Sequence, residues 1–131
     1  MNLQSEHEKY LCRYFDRPVF VFNYPTESKA FYMKNNLDGK TVVCFDLLFP
    51  EVGELIGGGR REDNYQILQN KAKKIGLDIN NLNWYFDLRK YGYAPSSGFG
   101  LGLERLIMFI SNTENIRDVI AFPRYPSYLE F

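Results

Sequence analysis

Apolar residues recur at helical spacing near the start of the chain, at Tyr10, Leu11 and Tyr14, in an otherwise charged stretch. This predicts a helix over residues 6–15. The pattern then changes to a β-branched and aromatic run at residues 18–24, bounded by Pro18 and Pro25, which predicts a strand. Residues 30–34 and 42–49 read likewise. Asn36-Leu37-Asp38-Gly39-Lys40 between them is a hairpin signal. Residues 53–59 continue as a strand loosened by glycine. The links are short, which implies antiparallel pairing.

From Asp63 the period lengthens. Tyr65, Leu68, Ala72 and Ile75 form one helical stripe, with Asp63 as the expected N-cap and Gly76 as the stop. Residues 80–91 predict a second helix, closed by Gly92. Gly98, Gly100 and Gly102 alternate along a strand, and Leu103, Leu106, Ile107 and Ile110 resume helical spacing. Residues 115–119 suggest one more turn, and Pro123 and Pro126 end regular structure. The expected fold class is α+β, an antiparallel sheet backed by helices. Repeats and low-complexity segments are absent from the sequence.

Composition supports a packed core: 45% of residues are hydrophobic and 17% aromatic, unlike a disordered tail. No apolar run approaches the ~20 residues of a membrane span, and the start, Met-Asn-Leu-Gln-Ser-Glu-His-Glu, is not a secretory signal. Cys12 and Cys44 lack metal-site spacing, so buried reduced thiols in an intracellular, cytoplasmic protein are expected. Formal net charge is zero. A nucleic-acid grip usually carries a basic excess; the one small cluster, Lys71, Lys73 and Lys74, reads as a solvated helix face. The lone His7 reads as a surface residue.

The chemistry concentrates in three places. Glycines 98, 100 and 102 share one strand face, so a flat ligand can lie on bare backbone. Arg105 follows in the first helical turn, where a permanent cation reaches phosphate or stacks on a ring; a glycine-rich turn with a solvent-facing arginine is the alternative that periodicity alone leaves open. Glu104 beside it suits a helix N-terminus. Asp46 and Glu54 lie on consecutive strands; paired carboxylates suit Mg²⁺, which keeps phosphate and water as its other ligands, but two surface carboxylates are the commoner arrangement and composition alone favours them. Arg60 and Arg61 follow Gly57-Gly58-Gly59. Glycines admit a small ligand, and a guanidinium binds an amide or carboxylate oxygen. Sequence leaves open which arginine points inward, and two solvated arginines remain an alternative.

The decapeptide Ser97-Gly98-Phe99-Gly100-Leu101-Gly102-Leu103-Glu104-Arg105-Leu106 resembles motif 3 of the class II aminoacyl-tRNA synthetases. The segment from Asp46 to Glu62 resembles the part that carries metal carboxylates and a substrate arginine in their aspartyl and asparaginyl members. Trp84 to Gly92, Asn115 to Arg124, the terminal Leu129-Glu130-Phe131 and the opening Ser5 to Tyr10 are similar to the asparaginyl subgroup. The resemblance implies a catalytic role for Arg105, which packs on ATP. It implies ATP binding by Glu54, Gly102, Leu103, Glu104 and Arg105, amino-acid binding by Arg61, Gly57 and Gly98, and metal binding by Asp46 and Glu54. ATP as substrate, Mg²⁺, asparagine, tRNA held mainly by other regions, and a homodimer of the intact enzyme are implied with it.

On this reading residues 1–131 are the C-terminal portion of a catalytic domain, starting at an added Met1. Motif 1, motif 2 and the anticodon-binding barrel are not found in the sequence, and the segment alone is expected to be inactive. Alternatives are an aspartyl-tRNA synthetase, an ATP-dependent asparagine synthetase on the same core, and a non-catalytic binding paralogue. Two departures stand out. Ser96 occupies the place of the family's usual histidine after Pro95. Gly57 stands where aspartyl enzymes carry a serine; asparaginyl ones commonly have glycine there.

Overall fold

A computed structural model describes residues 3–129; Met1 and the Glu130-Phe131 ending lie outside the described residues. Helix α1 (Ser5–Phe15) leads to strand β1 (Val19–Phe22). Strands β2 (Cys44–Phe49) and β3 (Gly53–Arg60) follow, then helices α2 (Tyr65–Lys74) and α3 (Asn83–Lys90), strand β4 (Ser97–Leu101) and helix α4 (Leu103–Ser111). Single 3₁₀ turns sit at Thr26–Ser28, Asn80–Leu82 and Ile116–Asp118. The four strands form one antiparallel sheet in the order β1-β2-β3-β4. The α+β expectation holds.

The chain divides into two compact units. One comprises Met1–Phe20, Asp46–Gly57 and Gly100–Phe131; the other comprises Val21–Phe45 and Gly58–Phe99. In the first, Cys12, Leu48 and Leu55 are buried. Burial pushes the Cys12 thiol above its ordinary pKa. Helix α1 opens with a reciprocal cap in which the Gln4 N–H donates to His7 Nδ1 at 3.1 Å. His7 is exposed as expected, with a local capping role. Phe49 and Phe109 meet edge to face at 4.8 Å.

The second unit is built around Leu68, Ala72 and Phe86, with Phe31, Tyr32, Tyr65, Ile79, Leu82 and Tyr85 packed against them. This explains one departure from the sequence pattern. Residues 30–34 turn instead of extending as a strand, with the Met33 N–H bonded to the Ala30 carbonyl at 3.0 Å. Adjacent Phe31 and Tyr32 both pack on this cluster, which a pleated strand, with neighbours on opposite faces, does not allow. The turn beyond is present: Gly39 has φ +65°, and Asp38 accepts from the backbone of Lys40 and Thr41 at 2.9 Å each.

Three further local differences have physical causes. Asn64, not Asp63, caps α2, accepting from the Ile67 N–H at 3.0 Å, because the Asp63 carboxylate is bonded by Lys34 and Arg60. Lys71 is not on a solvated face: its Nζ donates to the Met33 carbonyl at 2.6 Å and lies 3.5 Å from buried Glu62. Burial pulls its pKa down, opposed by Glu62. The helix expected at 80–91 is broken into the 3₁₀ turn and α3.

Candidate active site

In the first unit, alternation along β2 buries every second residue, and Asp46 is one of them, 4% exposed. The turn into β3 is tight, with Glu51 at φ +63° and Gly53 at φ +81°. Two side chains of α1 hold it. Arg13 makes a bidentate pair with Glu51 at 3.1 and 3.0 Å, which holds the Glu51 carboxyl below its ordinary pKa. Glu8 Oε2 accepts the Glu54 backbone N–H at 3.2 Å. A Cβ on Gly53 would lie 2.9 Å from that oxygen, so glycine admits the clamp.

The two expected metal carboxylates converge. A Cβ on Gly57 would lie 3.2 Å from Asp46 Oδ1 and would run into Glu54 Oε1. Both acids therefore close over one bare Cα. Among the described residues no group of three His, Cys, Asp or Glu side chains is placed to hold a metal. A hard oxygen pair without a third acidic or imidazole ligand fits Mg²⁺, which takes one or two carboxylates and completes its octahedron with phosphate and water.

Arg105 comes to the same place. It rises from the first turn of α4 and its guanidinium donates to the backbone carbonyl of Glu54. Gly102 precedes the helix, its N–H donating to Leu55 O at 3.0 Å. A Cβ there would touch the Arg105 stem at 3.6 Å. Glu104 and Leu103 are exposed on the same turn, and a Cβ at Gly100 would meet nothing within 4 Å. A cation fixed on the backbone of the strand that carries Glu54, next to open backbone at Gly100, is suited to a polyphosphate with a flat base.

In the second unit the two arginines separate. Arg61 lies on bare Gly98, whose added Cβ would sit 3.1 Å from its Nη2. Its Nη1 lies 3.2 Å from the Met33 sulfur, its guanidinium carbon lies 5.1 Å from the centre of the Tyr32 ring, and its N–H donates to Ser96 O at 2.9 Å. Arg60 instead pairs with Asp63 at 3.3 Å. It lines a hollow of about 380 Å³ with Phe22, Phe45 and Phe99. Another hollow, about 570 Å³, lies between the Pro25–Glu27 stretch and α2 and contains none of the expected site residues.

Sequence reasoning missed the contacts of Glu8 and Arg13 with the turn between β2 and β3. It also missed Arg89, which is buried between the rings of Tyr85 and Tyr93 at 4.0 and 4.3 Å. Only the aromatic interleaving around Arg89 hinted at this.

The family of tRNA synthetases class II (D, K and N) matches residues 1–126. An asparagine–tRNA ligase of Mycoplasma capricolum subsp. capricolum is 56% identical over all of this chain, which spans 29% of its length. The crystal structure of asparaginyl-tRNA synthetase from Pyrococcus horikoshii complexed with asparaginyl-adenylate superposes with TM-score 0.94 at 45% identity, over 98% of this chain and 30% of that one. An aspartyl-tRNA synthetase from Entamoeba histolytica superposes with TM-score 0.87 at 26% identity, over 98% of this chain and 28% of that one. With carboxylates, arginines and glycines placed as described and this match across almost its whole length, the chain belongs to the class II tRNA synthetases of the D, K and N group.

Proposed function

We propose that the protein carrying this chain ligates asparagine to its tRNA through an asparaginyl-adenylate, and that residues 1–131 form the C-terminal portion of its catalytic domain. The observation that carries this reading is the closure of Asp46 and Glu54 over Gly57, with Arg105 fixed on Glu54's own carbonyl. In this reading Asp46 and Glu54 hold Mg²⁺, which neutralises charge on the triphosphate. Arg105, Gly102, Leu103 and Glu104 take ATP. Arg61, with Gly98 and Gly57, takes the amino acid. The asparagine carboxylate attacks the α-phosphorus, pyrophosphate leaves, and a tRNA hydroxyl later displaces AMP. Positioning and electrostatics carry both steps, with no side-chain nucleophile.

Asparagine is favoured over aspartate by the relatives: 45% and 56% identity to asparaginyl enzymes against 26% to an aspartyl one. Gly57 adds to this, since it offers no hydroxyl to metal or substrate. The neutral chain suits a tRNA grip made mainly by other regions, in a cytoplasmic homodimer. Among the described residues no helix is long and apolar enough to cross a membrane.

The test is charging of tRNA by the full-length protein with labelled asparagine, ATP and Mg²⁺, alongside aspartate. The expected result is asparaginyl-tRNA, with aspartate at background. Aspartyl-tRNA, or free asparagine made from aspartate and ammonia, would point to the corresponding alternative enzyme.

A further inference from the structure

Arg61 sits in a closed circuit of contacts that does not include the ligand. Its N–H donates to the Ser96 carbonyl at 2.9 Å. The Ser96 hydroxyl is hydrogen-bonded to the Tyr93 hydroxyl. The Tyr93 ring lies on the Arg89 guanidinium at 4.3 Å. Arg89 Nε donates to the Glu62 carbonyl at 3.1 Å, and Glu62 is joined to Arg61 by a peptide bond.

Arg89 is itself tightly held. It is 8% exposed, stacked on Tyr85 at 4.0 Å, and bonded to the Tyr85 carbonyl and hydroxyl at 3.0 and 2.9 Å. Burying a guanidinium is tolerated only when its donors are used, and here three of them are. The circuit thus starts from a rigid anchor in α3 and ends on the backbone of Arg61. Its weakest link is the hydroxyl pair, because either hydroxyl can turn to another partner.

We propose that Tyr93 and Ser96 are positioning residues for Arg61, setting how tightly the enzyme holds the amino-acid side chain. This rests on the amino-acid role given to Arg61 above. A serine works at position 96 because its short side chain reaches Tyr93 while its carbonyl bonds Arg61. Neither residue needs to touch substrate. A planar guanidinium binds an amide or carboxylate well only in the right plane, so a small tilt of Arg61 weakens recognition.

The test compares Tyr93→Phe, Ser96→Ala, the double variant and Ser96→Thr in the full-length enzyme. Tyr93→Phe keeps the ring on Arg89 and removes only the hydroxyl. Each loss should raise the asparagine KM about two- to tenfold, the worth of one net hydrogen bond, and leave the ATP KM unchanged. The double variant should be no worse than either single one, and Ser96→Thr should restore the wild-type value. Hydrogen exchange at the Arg61 amide gives a readout independent of activity: it should quicken in Tyr93→Phe while the melting temperature stays within 1–2 °C, roughly the scale of a surface change. If wild-type enzyme does not use asparagine, the functional reading fails and the amide exchange alone decides the positioning role. Unchanged Arg61 exchange, or equal rises in both KM values, overturns the proposal.

Discussion

Gly57 and Gly58 are neighbours, yet the structure assigns their bareness to different causes, and substitution by alanine separates them. Neither has a positive φ, so alanine carries no backbone strain at either position. At Gly58 the new methyl would meet the Gly98 carbonyl at 2.8 Å, Phe99 Cβ at 2.8 Å and the Phe45 ring at 2.9 Å. Two of these atoms belong to or adjoin backbone and cannot move aside cheaply. Overpacking of this kind costs about 1–3 kcal/mol, partly offset by about 0.4–1 kcal/mol from the stiffer unfolded chain. A net loss of about 1–2 kcal/mol lowers the melting temperature by roughly 3–10 °C in a domain of this size.

At Gly57 the nearest atoms to the methyl would be the carboxylate ends of Glu54 and Asp46. The far end of the Glu54 side chain yields more readily than backbone, so Gly57→Ala should melt well above Gly58→Ala. The damage should appear in function instead. With Glu54 displaced, the full-length enzyme should need about tenfold more Mg²⁺, the scale of a misplaced ligand shell. Thermal unfolding of both variants and Mg²⁺ titration of ATP–pyrophosphate exchange measure the two effects. If Gly57→Ala melts as early as Gly58→Ala, or leaves the Mg²⁺ requirement unchanged, the carboxylate site has been misplaced.

Other expectations follow from the same geometry. In the full-length enzyme Arg105→Ala should raise the ATP requirement and Arg61→Ala the asparagine requirement, each by about ten- to a hundredfold, the worth of a charged hydrogen bond; equal loss of both substrates in both variants would contradict the division. Asp63 is held below its ordinary pKa of 3.8, chiefly by the hydrogen bond from Lys34. A lowered folded pKa gives stability that is complete above the unfolded value and lost as pH falls through the folded one. Urea unfolding should therefore show wild type more stable than Asp63→Asn at pH 6, with the gap closing below about pH 3.8; a gap that persists into acid would rule this out. Leu103 and Ile110 are 60% and 74% exposed on α4, and such a stripe recruits partners. The chain should self-associate in light scattering, and Ile110→Glu should suppress it; a monomer at every concentration would refute this.

Where periodicity had no competitor, the sequence was legible. The helix at 103–111, the glycine strand before it and the stop at Gly76 all appear, since apolar spacing and glycine placement act locally. Residues 30–34 have strand propensity but turn, because the α2–α3 cluster claims both Phe31 and Tyr32. Asp63 is a good capping residue whose carboxylate is occupied by Lys34, a partner 29 residues away that no local rule reveals. The same holds at the site. Sequence motifs group Asp46, Glu54 and Arg105, whereas the pairing of Arg60 with Asp63 and the contact of Arg61 with Gly98 are visible only in space. The Glu8 clamp and the Tyr93–Ser96 link join distant or irregular segments and left no pattern to read.

The proposed site divides its labour: Asp46, Glu54 and Arg105 serve the nucleotide, and Arg61 serves the side chain of asparagine. A crystal structure of the full-length protein with Mg²⁺ and a non-hydrolysable asparaginyl-adenylate analogue tests it directly. The side-chain amide oxygen should lie on the Arg61 guanidinium and the adenine against Arg105. A ligand bound with its amide on Arg60, or with its base away from Arg105, would contradict it.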